Sequence, residues 1–176
     1  MPRRAARVAL AIAATVAAVV AAGLPLYVFP HSDKPAKADA VIILGPGYAD
    51  RRAEAQRLVD EGYAPRIYLS VPASQLHGGA CSSVDVTCFV PDPFTTRGEA
   101  RFTERMAAQQ HWSRVIVITG GYHATRARYI FDSCATSVDV RLIGVREALG
   151  PLHWAYQYAY QTAAFGKAFL LGCAGA

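Results

Sequence analysis

The chain contains no asparagine, no Cys-x-x-Cys pair, no Gly-x-Ser-x-Gly and no internal repeat. The first absence follows a composition bias in which arginine far outnumbers lysine, and it carries no mechanism. Without paired cysteines, and with no histidine at ligand spacing, a structural zinc site is disfavoured and no metal is expected. Without a nucleophile elbow, the usual serine hydrolase is disfavoured too. The stretch Gly45-Pro-Gly-Tyr-Ala-Asp50 begins like a dinucleotide fingerprint but has Asp50 where the third glycine belongs, and no acid follows the second strand. Nicotinamide and flavin are therefore not expected, and no other cofactor is indicated. Excess basic charge is also missing. The net charge over 176 residues is +5, and Arg3, Arg4 and Arg7 precede the first apolar segment. The remainder is only mildly basic, which argues against a nucleic-acid partner.

What the sequence does have begins at Val8. Residues 8–29 run without a charge and are long enough, at about 1.5 Å per residue, to cross a hydrocarbon core of roughly 30 Å. A cleaved signal peptide is the alternative, and alanine-rich triplets near Ala18–Ala22 would permit cleavage. The apolar run continues to Phe29, which favours an uncleaved anchor. The arginines before it hold residues 1–7 in the cytoplasm. On this reading the chain is a single-pass plasma-membrane protein. A polar linker follows at 30–37, and residues 38–176 form an extracytoplasmic domain. All four cysteines fall in that part, where an oxidising compartment favours disulfides.

Past the linker, short apolar runs alternate with amphipathic segments. Strands are expected over Ala40–Leu44, Arg66–Val71, Val84–Val90, Val115–Thr119 and Val138–Val145. Helices are expected over Arg51–Glu61, Thr96–Gln110, Ala124–Cys134 and 152–171, with 73–83 as a loop. The pattern predicts an α/β, Rossmann-like three-layer fold with a mostly parallel five-stranded sheet, preceded by one transmembrane helix. Right-handed crossovers put the last two helices on one face running the same way, so Cys134 and Cys173 can meet, while Cys81 and Cys88 can close a local loop. Four cysteines permit three pairings; 81–88 with 134–173 is the one expected.

Ligands of such sheets sit at the carboxyl ends of the strands. Those ends supply the candidate binding residues Gly45, Gly47, Ser70, Thr95, Thr96, Thr119, Tyr122 and Arg126, with His123 and Glu99 as candidate acid–base groups. The glycine turn serves as a tight turn that can still present N–H groups to an anion. Thr95 or Thr96 is expected to cap this helix, and Thr96 with Glu99 fits a capping box, a structural role at least as strong as chemistry. His123 and Arg126 open a helix, where a cation is locally unfavourable unless an anion or an acid such as Glu99 or Asp50 compensates. Arg128 reads as a solvated residue. The aromatic residues of the last helix read mainly as core, with the membrane surface or a lipid ligand as the alternative.

Three segments carry a family resemblance: Ala38-Asp-Ala-Val-Ile-Ile-Leu-Gly45, Gly62-Tyr-Ala-Pro-Arg-Ile-Tyr-Leu-Ser70 and Thr119-Gly-Gly-Tyr-His-Ala-Thr-Arg-Ala127. Together they resemble the YdcF/SanA/ElyC family of envelope proteins over about residues 38–147. The last segment is close to that family's T-S-x-Y-H-x-x-R-A. The resemblance implies a Rossmann-like domain acting in envelope biogenesis or barrier integrity, linked to lipid-carrier or peptidoglycan metabolism, with no established catalytic mechanism. Gly120 stands where the family has serine, and Gly98 stands at the glutamate of T-x-E-N-A. Residues 73–83 replace a helix.

Three functions follow from these readings. The first is binding of a phosphate-bearing, lipid-linked envelope precursor at the carboxyl ends of the strands, with hydrolysis or transfer of a phosphate ester if His123 acts as acid–base group. The second is a non-enzymatic envelope factor. The third is a small hydrolase using Ser70 or Glu99.

Overall fold

The computed structural model describes residues 2–173. Helix α1 covers Pro2–Gly23 and passes into a π-helical turn, Leu24–Val28. The stretch Arg3–Val28 is long and apolar enough to cross a membrane, and almost none of it is covered by the rest of the protein. Then come β1 (Ala40–Ile43), α2 (Ala49–Asp60), β2 (Ile67–Ser70), β3 (Val86–Phe89), α3 (Thr96–Gln110), β4 (Arg114–Gly120), α4 (Ala124–Cys134), β5 (Asp139–Val145) and α5 (Pro151–Leu171). Single 3-10 turns interrupt the β2–β3 loop at Ala73–Gln75 and Gly79–Cys81, and another joins β4 to α4 at Gly121–His123.

The strands form one sheet in the order β3-β2-β1-β4-β5, and every pairing is parallel. The expected α/β fold is therefore present, with the sheet wholly rather than mostly parallel. Alternation along β1 and β4 divides the core. Ile42, Leu44, Val115 and Val117 face α3, α4 and α5, while Val41, Ile43, Ile116 and Ile118 face α2. A strand covered on both sides needs apolar residues at consecutive positions, which is why Ala40–Leu44 reads as a continuous run. The chain leaves β1 toward β2 on one side and reaches β4 on the other, so a crevice opens between them at the strand ends.

Two expectations change. The linker does not simply span the gap from helix to domain, because it lines the free edge of β5. Asp33 N–H donates to the Leu142 carbonyl (2.9 Å), and the Asp33 carboxylate accepts from Leu142 N–H (2.8 Å) and Arg128 Nη2 (2.9 Å). Arg128 thus anchors the linker and is not a solvated residue. Pinning a segment there also covers an edge that would otherwise offer its backbone to another chain. Those bonds outweigh the opposing effect of burial and hold the Asp33 pKa below the ordinary carboxylate value. The capping box also differs. Thr95 caps α3, accepting from Gly98 N–H, and the Glu99 side chain leaves the helix end altogether.

Both expected disulfides are present, Cys81–Cys88 and Cys134–Cys173. The second ties the end of α5 to the end of α4 across 39 residues of chain. Its loss releases a much longer loop in the unfolded state than loss of the first. Replacing Cys134 and Cys173 together with serine is expected to lower unfolding free energy by about 2–4 kcal/mol, and more than the same change at Cys81 and Cys88. Denaturant titration followed by circular dichroism measures both.

Candidate functional site

The polar groups at the strand ends are organised around a buried guanidinium. Arg51, in the first turn of α2, is 1 % exposed. Its Nε (3.0 Å) and Nη2 (2.5 Å) donate to Glu147 Oε1, Nη1 donates to the Pro46 carbonyl (2.9 Å), and Nη2 also donates to the Tyr122 hydroxyl (3.1 Å). One side chain therefore joins the turn after β1, the turn after β4 and the segment after β5. A carboxylate partner and two neutral acceptors offset the cost of taking the charge out of water.

Gly120 lies directly under this pair. A Cβ there would stand 2.5 Å from Arg51 Nη2 and 2.8 Å from Glu147 Oε1. The ion pair occupies the space a serine side chain would need, which accounts for glycine at 120. Gly98 has a similar cause, since a Cβ would meet the Pro93 carbonyl oxygen at 1.9 Å.

A cavity of about 600 Å³ adjoins this node, walled by the strand-end turns, the start of α3, the start of α4 and one side of α5. Gly45, Gly47, Ser70, Thr95, Thr96, Glu99, Tyr122, His123 and Arg126 all line it. Thr119 does not. It is fully buried, and strand alternation groups it with Val115 and Val117 toward the helices.

Inside the cavity Glu99, 4 % exposed, accepts from Gly45 N–H at 2.7 Å. Burial raises its pKa, opposed by the nearby Ser70 hydroxyl, the Gly45 N–H and the charges of Arg126 and Arg51. The Ser70 hydroxyl influences that carboxyl without reaching hydrogen-bond geometry and is left without a partner. His123, 7 % exposed, meets Thr96 Oγ1 through Nε2 at 3.2 Å, while Nδ1 is buried and unpartnered. Burial, then the charges of Arg126 and Arg51, outweigh the opposing effect of the nearby Gln161 amide and hold its pKa well below that of a free imidazole. His123 is therefore neutral at neutral pH. It can accept a proton or a hydrogen bond and is a poor cation.

Arg126 Nε donates to Gln161 Oε1 at 2.9 Å, Gln161 Nε2 donates to Gln157 Oε1 at 3.0 Å, and Gln157 lies 3.2 Å from His153 Nε2. This row along α5 aims the guanidinium without neutralising it. Among the described residues no carboxylate lies within ion-pair distance of Arg126. Arg97 and Lys167 add cationic charge to the wall, and Glu99 is its one acid. Phosphate or carboxylate suits such a lining. No group of three or more metal-ligating side chains occurs among the described residues.

Sequence reasoning missed Arg51, Glu147, Gln157 and Gln161. Arg51 stands among other charged residues and reads as surface. Gln157 and Gln161 carried a usable signal, since two amides four residues apart within an aromatic helix share one side of it.

No family model, curated protein or solved structure matches the chain.

Two outcomes follow. Gly120→Ser should destabilise the fold by about 1–3 kcal/mol, the usual range for overpacking, read as a lower denaturation midpoint. His123 also sets a pH dependence. Its folded pKa lies below the unfolded value of about 6.5, so the unfolded chain binds the proton first. That contribution is complete above about pH 6.5 and is lost as pH falls toward the folded pKa, with a limiting slope of about 1.4 kcal/mol per pH unit. Unfolding free energy measured between pH 7.5 and 5 should fall in wild type, and His123→Gln should remove this part of the slope.

Proposed function

We propose that the chain is a membrane-anchored, extracytoplasmic domain that binds a phosphate-bearing envelope precursor in the cavity at the strand ends. One observation carries the reading. His123 Nδ1 and Ser70 Oγ are buried without partners in a cavity whose wall holds Arg126, an arginine that no carboxylate contacts among the described residues. Buried polar groups are normally satisfied, and a bound oxyanion with a protonated or ester oxygen would satisfy both. The capped start of α3 adds N–H groups and the positive end of a helix dipole. The four cysteines in two disulfides support an oxidising location, and the arginines ahead of α1 support a cytoplasmic N-terminus. The envelope role rests on the resemblance of Thr119–Ala127 to the YdcF/SanA/ElyC signature.

If the bound ester is cleaved or transferred, His123 is placed to act as base. Glu99, which burial favours in its protonated form, is the matching acid. Ser70 is a weaker nucleophile candidate, because no histidine bonds to it. A second reading, binding without chemistry, is favoured by the way Glu99 is bonded to Gly45 and His123 to Thr96, contacts that also hold the turns together.

Calorimetry of the full chain in detergent, with inorganic phosphate and glycerol phosphate, tests the proposal. A ligand at 100 times its Kd should stabilise the native state by about 2.7 kcal/mol. The melting temperature should rise in wild type, and much less in His123→Gln and Arg126→Met. Absence of a rise with every phosphate in wild type would sink the reading. Phosphate release from an ester, lost in His123→Gln, would separate catalysis from binding alone.

A further inference from the structure

Helix α5 carries its polarity inside out. His153, Gln157, Gln161 and Lys167 share one side of it, and Gln157 and Gln161 are buried against the domain. Leu152, Ala155, Ala159, Ala163, Gly166 and Leu170 recur at helical spacing on another side, and all six are exposed. Leu152 is 88 % exposed and Leu170 83 %. Between Glu147 and Lys167 the chain has no acidic or basic residue other than His153. A helix that faces water turns its charges outward and its apolar residues inward. The outer face of α5 offers water no polar side chain over about five turns.

What this face meets follows from where α5 is attached. The Tyr158 hydroxyl donates to the Val20 carbonyl at 3.1 Å, and the Tyr158 ring meets Tyr27 edge-on with centroids 5.1 Å apart. Gly23 leaves room for that ring, since a Cβ there would lie 2.1 Å from Tyr158 Cε1. Thr162, one turn further on, shares a hydrogen bond with the Tyr27 hydroxyl at 2.8 Å. Val20, Gly23 and Tyr27 all belong to the apolar stretch Arg3–Val28. Counted from Val8, the first residue past the N-terminal arginines, a hydrocarbon core of roughly 30 Å ends near Tyr27 at about 1.5 Å per residue. Val20 then lies about 10 Å inside that boundary. Arg146 over the Phe29 ring, 5.7 Å from its centroid, is a pairing of cation and aromatic that suits the same level. With α1 inserted, α5 is held within one tyrosine side chain of the hydrocarbon.

We infer that the uncovered face of α5 lies on the acyl chains at the rim of the bilayer that α1 crosses, so that the domain has two membrane contacts, a span and an in-plane helix. The partner is a lipid surface, met through apolar area rather than through any head group. The inference rests on α1 spanning a membrane, and it is independent of what fills the cavity. A second contact away from the axis of α1 fixes how the domain is turned on the bilayer, which a span alone leaves free.

The test uses the full chain in vesicles of phosphatidylcholine brominated near the glycerol end of its chains, which quenches tryptophan at that depth. Trp112→Phe with Trp154→Phe removes both native tryptophans. On that background Ala159→Trp reports from the outer face of α5, and Val16→Trp reports from the span. Trp154→Phe alone keeps Trp112, which lies between α3 and the start of β4, as the reference away from the membrane. The Ala159→Trp and Val16→Trp reporters should lose most of their fluorescence, and Trp112 should keep it. Trp112→Phe alone keeps Trp154, in the first turn of α5, and answers the same question should Ala159→Trp fail to fold by circular dichroism. Adding Leu152→Asp and Ala155→Asp to that chain should restore the fluorescence of Trp154. Bright α5 reporters in brominated lipid overturn the inference. Acrylamide then tells the alternatives apart, since a reporter it dims faces water and one it leaves bright is covered by a second copy of the chain. Equal quenching of Trp112 overturns the assignment to α5, and a bright Val16→Trp reporter overturns the span as well.

Discussion

Much of the strand-end architecture depends on one buried guanidinium. Arg51 is held by Glu147, the Pro46 carbonyl and Tyr122, groups that come from three separate turns. Removing either charged partner would leave the other unpaired and out of water, which typically costs about 3–5 kcal/mol. The neighbourhood has adapted to this pair. Gly120 leaves room for it, and Tyr122 turns its hydroxyl toward Arg51. The charge of Arg51 also reaches the cavity, where it helps keep His123 neutral and opposes the upward shift of Glu99. A contact that looks purely structural therefore also sets the electrostatics of the site.

Arg126 is the counterpart that is left unpaired. A cation at the start of a helix is unfavourable, and the carboxylate expected to compensate for it is only a neighbour. Glu99 affects Arg126 through space while its own oxygen is bonded to Gly45. Gln161 fixes the direction of the guanidinium without cancelling its charge. The contrast between a fully paired Arg51 and an aimed, unpaired Arg126 separates a structural cation from one available to a ligand.

Helix α5 joins this site to the N-terminal helix. Its amides hold Arg126, its tyrosines form part of the cavity wall, Tyr158 and Thr162 contact residues 20–27, and its end is tied to α4 by a disulfide. The helix is poorly covered on much of its surface, so these few contacts and the disulfide carry its attachment. Its sequence reads as an aromatic core helix. The aromatic character is real, but Tyr156, Tyr160, Phe169 and Leu170 remain exposed.

Local chain chemistry was enough to determine the alternation of strands and helices, the parallel sheet and the apolar N-terminal stretch, and it favoured, among three possible cysteine pairings, the one that forms. Each depends on periodicity, on a turn residue or on the handedness of a crossover, and these act over a few neighbouring residues or follow a general rule. The sequence also placed Gly45, Ser70, Glu99, His123 and Arg126 at strand ends. Tertiary structure alone decided which groups meet there. Nothing near Arg51 announces Glu147, which lies 96 residues further on. Thr96–Glu99 fits a cap by spacing, yet Glu99 bonds 54 residues away. Thr119 sits within the most specific motif and still does not line the cavity. Pairings of this kind depend on how the turns of separate βα units are brought together, and that is set by the packing of the whole sheet rather than by any one segment.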